Sequence, residues 1–357
     1  MTELVLHIGD MKTGTTSIQS ALLAQDWQGA TRRVCYPTAP GQPYHHALVE
    51  FIRQNNTEQV TRSFDEIRER IETSDAEIAV ISSELLEEFP AEQVMEVFAR
   101  HLPDLVPTMR VLAYVRPHAE RVMSSWTQQM KLGFFSEGVE DFLPGFLSRG
   151  KLAYSQRFGA WRDIVGPRLT LRPMIRSALA GGDVVQDFMA QVLPGDSLTF
   201  PPRQEINETL SIADLALLRR LHQHPKRVLD DRTRDAHMRM GEYLAYTLSA
   251  LPRSGSPRPA LSRAAYERIR ETCTEDARLL DETFFDGRPM QDALLAAEAK
   301  VTEEAQSLDP ADHLGPEELR LSEVYAVLLH DLVSGAPVRI NEVLMQRIDA
   351  VMRGSGD

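Results

Sequence analysis

Cysteine is nearly absent from the chain: Cys35 and Cys273 are the two among 357 residues. Two thiols cannot supply a disulfide framework or a multi-cysteine zinc site, so a reducing compartment is the natural setting. Long apolar runs are missing as well. No window approaches the roughly 20 consecutive apolar residues that cross a bilayer, and the start, Met1-Thr2-Glu3-Leu4-Val5-Leu6-His7-Ile8-Gly9, carries no basic segment and no cleavage-like site. These absences place the protein in the cytoplasm, without a transmembrane segment. Positive charge is also short, with 39 Lys and Arg against 52 Asp and Glu and a net charge of -13. A general nucleic-acid binder draws its affinity from Lys and Arg neutralising phosphates, and this balance argues against one. Internal repeats and low-complexity tracts are lacking too.

What remains is an ordinary globular composition, 43% hydrophobic and 25% charged. Apolar runs of strand length are expected at residues 4–8, 33–36, 77–82, 109–115 and 169–172, with helical stretches such as 17–25 between them. That alternation predicts an α/β fold, a central parallel sheet with helices on both faces. Beyond about residue 205 the pattern turns helical, at 213–221, 266–280, 290–306 and 317–332, with a loop and boundary at 252–259. The expected division is an α/β core over 1–225 and a mainly helical region over 226–357 packed on it. In parallel sheets, ligands bind beyond the carboxyl ends of the strands. Three polar clusters follow such ends, at 9–17, 82–88 and 116–125.

The first cluster reads Gly9-Asp10-Met11-Lys12-Thr13-Gly14-Thr15-Thr16-Ser17 between a strand and a helix. This arrangement presents backbone N–H groups and a helix N-terminus to an anion. Gly14 permits close approach, Thr15, Thr16 and Ser17 add hydroxyl donors, and Lys12 adds a point charge. In the Walker pattern of ATP-binding loops the lysine follows the second glycine, whereas Lys12 precedes Gly14. The plainer alternative is a turn in which Ser17 or Thr13 merely caps the helix. In the third cluster, Arg116 ends a strand and Ser124 follows two helical turns later, in Arg116-Pro117-His118-Ala119-Glu120-Arg121-Val122-Met123-Ser124. The two can converge on one phosphate, or Arg116 can be a surface arginine at a helix start.

The segment from His7 to Ser17 closely resembles the loop by which PAPS-dependent sulfotransferases hold the 5′-phosphosulfate of their donor, and Arg116 and Ser124 match the arginine and serine, eight residues apart, that hold its 3′-phosphate. The resemblance covers roughly residues 1–225 and departs at Pro117, where the family commonly has a polar residue first and proline second. It implies a P-loop-like fold and a donor site made by Lys12, Thr13, Gly14, Thr15, Thr16, Ser17, Arg116 and Ser124. It also implies in-line attack of an acceptor hydroxyl or amine on sulfur, with no metal required, and no cluster of metal ligands stands out in the sequence.

Transfer of this kind needs a cation at the departing phosphate oxygen, for which Lys12 is the candidate. It also needs a base for the acceptor proton. Glu84, in Ile81-Ser82-Ser83-Glu84, faces the expected crevice, and His45 and His46 offer a more suitable intrinsic pKa from a loop. Glu84 can equally be a helix-starting carboxylate, and His7, inside an apolar strand, reads as packed. Acceptor walls are expected from 36–51, 89–97 and 131–154, with Gly133, Phe134 and Phe135 as a lid or a hydrophobic turn. A carbohydrate, lipid or small alcohol suits the acidic composition as acceptor better than a highly anionic polysaccharide does. Two other readings stay open: a nucleotide-dependent kinase with Mg²⁺, and a non-catalytic nucleotide-binding protein.

Overall fold

The computed structural model describes residues 2–201, 210–223, 231–253 and 255–352. Five strands form one all-parallel sheet: β1 (Glu3–His7), β2 (Val34–Cys35), β3 (Ile78–Ser82), β4 (Arg110–Val115) and β5 (Leu169–Pro173), in the order β2-β3-β1-β4-β5. The helices of the first half are α1 (Thr15–Ala24), α2 (His46–Arg53), α3 (Thr57–Thr73), α4 (Ala91–His101), α5 (His118–Lys131), α6 (Val139–Ser148), α7 (Tyr154–Val165) and α8 (Val184–Val192). They are followed by α9 (Ile212–Gln223), α10 (Asp231–Ala250), α11 (Arg263–Phe284), α12 (Pro289–Ala296), α13 (Pro316–Gly335) and α14 (Pro337–Met352). The α/β class and all five expected strands are present, each within two residues of its expected ends.

The boundary expected at 225/226 lies outside the described residues. The chain passes between two compact units, one made of Met1–His118, Leu152–Pro202 and Cys273–Leu294, the other of Ala119–Lys151, Arg203–Thr272 and Leu295–Asp357. The first unit holds the sheet. β1, β3 and β4 are mostly apolar and buried along nearly their whole length, as central parallel strands covered on both faces must be. On one face, Val5, Val80, Leu112 and Tyr114 pack with Ile18 and Leu22 of α1 and Val185, Phe188 and Val192 of α8. The alternate residues Leu4, Leu6, Ile81, Val111 and Ala113 are equally buried, with α7 packed against β4 and β5 and α4 against α7. A buried carboxylate ties this unit together: Asp187 of α8 accepts from Arg172 at 2.6 and 3.0 Å, from the Tyr114 hydroxyl at 2.8 Å and from the Ala180 amide at 2.9 Å.

The strand order creates a switch point. From β1 the chain runs by α1 to β2 and back to β3, on one side of β1; β4 lies on the other side and leads outward to β5. The carboxyl ends of the neighbours β1 and β4 therefore mark the point from which the connections diverge, the place where α/β sheets bind ligands.

The second unit is helical, with α10 packed against α14, α9 and α13 around Ala236, Met240 and Val333. The helix expected over 290–306 stops earlier. α12 ends at Ala296, a short 3₁₀ turn runs to Lys300, and the β-branched pair Val301-Thr302 leaves the helix. Thr302 exchanges backbone hydrogen bonds with Leu261 and Arg263, a pairing that competes successfully with helix continuation. At the end of α5, Gly133 adopts φ 74°, and the amides of Phe134 and Phe135 return to the Gln129 carbonyl. Phe135 packs on Phe142 at 5.4 Å between ring centroids. Of the two readings of this segment, the structure gives the turn that ends a helix.

Candidate functional site

The loop after β1 is built from positive φ angles. Gly9 (65°), Lys12 (68°) and Gly14 (77°) alternate with ordinary residues over six positions, the kind of backbone that turns successive N–H groups toward one concavity. Lys12 is the informative member, because a non-glycine residue in this region is strained and persists only where its surroundings hold it. Several contacts do so. The Thr13 hydroxyl donates to the Asp10 carbonyl at 2.5 Å, Arg157 of α7 donates to the fully buried Asp10 carboxylate at 3.1 Å, and the Met11 amide donates to Glu87 at 2.8 Å.

The N-terminus of α1 is left open. Its N-cap is Gly14, which has no side chain to cap with, so neither Thr13 nor Ser17 caps the helix. Among the described residues, the amides of Thr15, Thr16 and Ser17 have no protein acceptor, and the buried Thr15 hydroxyl has no partner. Buried hydroxyls and helix-end amides ordinarily find partners; an anion in the concavity would supply them. Behind the loop, a Cβ on Gly14 would meet Val184 of α8 at 2.8 Å and Met174 at 3.4 Å, so the close approach expected of Gly14 is made against an apolar floor. The Thr13 hydroxyl is spent inside the loop, on the Asp10 carbonyl.

Glu84 stands directly beside this loop. A Cβ on Gly9 would lie 2.7 Å from both Cα and Cβ of Glu84. The residue starts a 3₁₀ turn after β3, and its carboxylate accepts from the Gln19 amide of α1 at 3.1 Å and lies 3.3 Å from Nε2 of His46. Burial alone pushes this carboxyl up. The His46 imidazole, the residue's own amide and Gln19 outweigh burial and hold it below the ordinary glutamate value. Glu84 is therefore a carboxylate at neutral pH, with about a fifth of its side chain open to solvent.

The two adjacent histidines have different fates. His46 stacks on Tyr44 at 4.0 Å between centroids, and its Nδ1 lies 2.9 Å from the Ser83 hydroxyl, so the ring bridges Ser83 and Glu84. His45 is buried. Its Nε2–H donates to the Pro37 carbonyl at 3.3 Å and its Nδ1 accepts from the Ser82 amide at 3.2 Å, which uses both nitrogens to pin the β3 end. Burial pushes His45 down to about 4 against its backbone hydrogen bonds. His7 is packed as expected, between Tyr114 and Phe188, with Nδ1 2.9 Å from the Ser82 hydroxyl. Burial lowers it to about 4, partly opposed by Glu84.

Arg116 follows the last residue of β4, the strand next to β1, in the first unit. Ser124 lies on α5, in the part of that helix assigned to the second unit. Pro117 precedes the first residue of α5, where its fixed φ and missing N–H suit helix entry. His118, fully buried, pairs with Asp276 at 2.8 Å, and Asp276 also accepts from the amide and hydroxyl of Ser155.

The structure thus brings Lys12–Ser17, Glu84 and His46 into one neighbourhood and puts Arg116 at the adjoining strand end. Sequence reasoning missed Glu87, Gln19, Ser83 and Arg157, the residues that hold the loop and Glu84 in place. Glu87 and Ser83 lay in a cluster already marked as polar, whereas Arg157 comes from a helix far along the chain and gave no local signal. Among the described residues, no group of three His, Cys, Asp or Glu side chains is placed to hold a metal ion, and no helix is long and apolar enough to cross a membrane. No protein-family model, curated protein or solved structure matches the chain.

Proposed function

We propose that the protein is a PAPS-dependent sulfotransferase of the cytoplasm, acting on a hydroxyl or amine acceptor such as a carbohydrate, lipid or small alcohol. The observation that carries the reading is the open nest at Gly9–Ser17, with Lys12 held at φ 68° and the buried Thr15 hydroxyl lacking a protein partner. A terminal phosphosulfate satisfies those donors. PAPS, when bound, supplies an activated sulfuryl group, and the rest of the chemistry falls to the chain's own side chains.

Lys12 and the amides of Thr13, Gly14, Thr15, Thr16 and Ser17 neutralise charge at the phosphate end of the donor, where negative charge grows as sulfur departs. Fixed dipoles in a partly dry site do this without reorganising. Arg116, at the end of β4, suits the donor's 3′-phosphate; Ser124 is assigned there by its spacing in the sequence. Glu84 takes the acceptor proton. Its lowered pKa keeps it ionised, and His46, anchored on Ser83, fixes the orientation of the carboxylate.

The test is turnover of PAPS with a panel of hydroxyl and amine acceptors, read as release of 3′-phosphoadenosine 5′-phosphate. Release that Lys12→Ala abolishes supports the reading. Mg²⁺-stimulated nucleotide hydrolysis without sulfuryl transfer would favour the kinase reading, and tight nucleotide binding without turnover the non-catalytic one.

A further inference from the structure

Helix α13 is apolar on two sides. One side, through Ser322, Ala326 and Val333, is buried within the second unit. The other carries Leu321, Tyr325, Leu328 and Leu332, which are 38%, 53%, 51% and 49% exposed. Their spacing of four, three and four residues is that of a coiled-coil seam. A helix on a soluble unit needs one apolar face to pack; a second aligned face implies a second surface to cover it. Val324 widens the stripe, and Val338 and Met345 on α14 are exposed as well. The α13 side chains alone offer uncovered apolar area on the order of 400 Å², within the range of the largest patch a monomer leaves exposed. With a polar rim this approaches the roughly 800 Å² that each partner buries in a stable interface.

The stripe is complementary to itself. Turned end over end about a point between Ala326 and Val327, Leu321 falls opposite Leu332 and Tyr325 opposite Leu328. The flanking charges follow the same rule. Arg320 and Asp331 are eleven residues apart, which puts them on one flank of the helix, and reversal brings Arg320 of one copy near Asp331 of the other. Asp331 is exposed and has no ion-pair partner among the described residues, while Arg320 holds only Glu317, at the surface. A parallel pairing would not bring these two charges together. The net charge of -13 disfavours the anionic lipid surface that would otherwise compete for such a face.

We propose that α13 is the seam of an antiparallel homodimer, a second copy of this chain covering the Leu321–Leu332 stripe. The inference is independent of the chemistry at the Lys12 loop. Sedimentation velocity on the full chain from low to high micromolar concentration tests it. The wild type is expected to dimerise, and Leu321→Glu with Leu328→Glu to be monomeric at every concentration while keeping the wild-type far-ultraviolet circular dichroism. Asp331→Arg alone should weaken the dimer by about tenfold through two repelling pairs, and adding Arg320→Asp to the same chain should restore it. A monomeric wild type would overturn the proposal; if that monomer also floated with phosphatidylcholine vesicles through the same leucines, the stripe would belong to lipid. A dimer indifferent to the two leucine substitutions would overturn it too. A double charge swap that failed to rescue would overturn the antiparallel register.

Discussion

Gly9 and Glu84 approach so closely that a Cβ on Gly9 would lie 2.7 Å from the Cα of Glu84. Two strand ends that are neighbours in the sheet, β1 and β3, thereby bring the loop after β1 and a carboxylate into contact. Gly9→Ala places a methyl in that gap and forces a side chain into φ 65°. The combined cost is about 1–3 kcal/mol of stability, read as a lowered urea midpoint. Donor affinity falls with it, because the loop must shift away from Glu84.

Glu84→Gln keeps the shape and removes the carboxylate proposed as the base. Turnover is expected to drop by about 10²- to 10⁴-fold, with binding of 3′-phosphoadenosine 5′-phosphate unchanged by calorimetry. A parallel loss of binding and turnover would assign Glu84 to loop support instead.

As the proposed base, the same carboxylate is expected to set the acid limb of the activity profile. Its folded pKa is depressed, so the base form persists as pH falls through the ordinary glutamate value and is lost only below it. In His46→Ala the imidazole no longer offsets burial, the pKa rises, and the acid limb of kcat/KM moves to higher pH. An unmoved limb would separate His46 from Glu84.

His7 and His45 make stability fall on the acid side. Both are held near 4 in the folded chain against an ordinary 6.5. The unfolded chain therefore binds more protons below pH 6.5, and stability present above that pH is lost progressively down to about pH 4. The full effect is on the order of 3 kcal/mol per histidine. Urea midpoints measured from pH 7 to 4.5 should decline steadily, and His45→Gln should shallow the slope.

Much of this was legible in the sequence because parallel central strands are continuous apolar runs, and the runs around Leu4, Val80 and Leu112 are unambiguous. The Lys12 loop was legible from glycine spacing, and Glu84 from its place after a strand. Other features were not legible because they depend on tertiary partners. The doublet His45-His46 is two similar side chains in sequence, yet one turns into the β3 backbone and the other toward Glu84. Arg157 reaches Asp10 from 147 residues away. The helix expected over 290–306 failed at Val301 and Thr302, whose pairing with the segment around Ser262 no local periodicity reveals. The division into units was hidden because α5 and α11 each contribute to both.

The proposed function requires the loop after β1 to hold a phosphate in the company of Arg116. Titration calorimetry with 3′-phosphoadenosine 5′-phosphate in the absence of Mg²⁺ measures this. The expected result is one site per chain, lost in Lys12→Ala and weakened about 10- to 100-fold in Arg116→Ala, as befits removal of a charge-assisted contact. An absence of binding, or binding of ATP with Mg²⁺ that ignores the 3′-phosphate and Arg116, would contradict it.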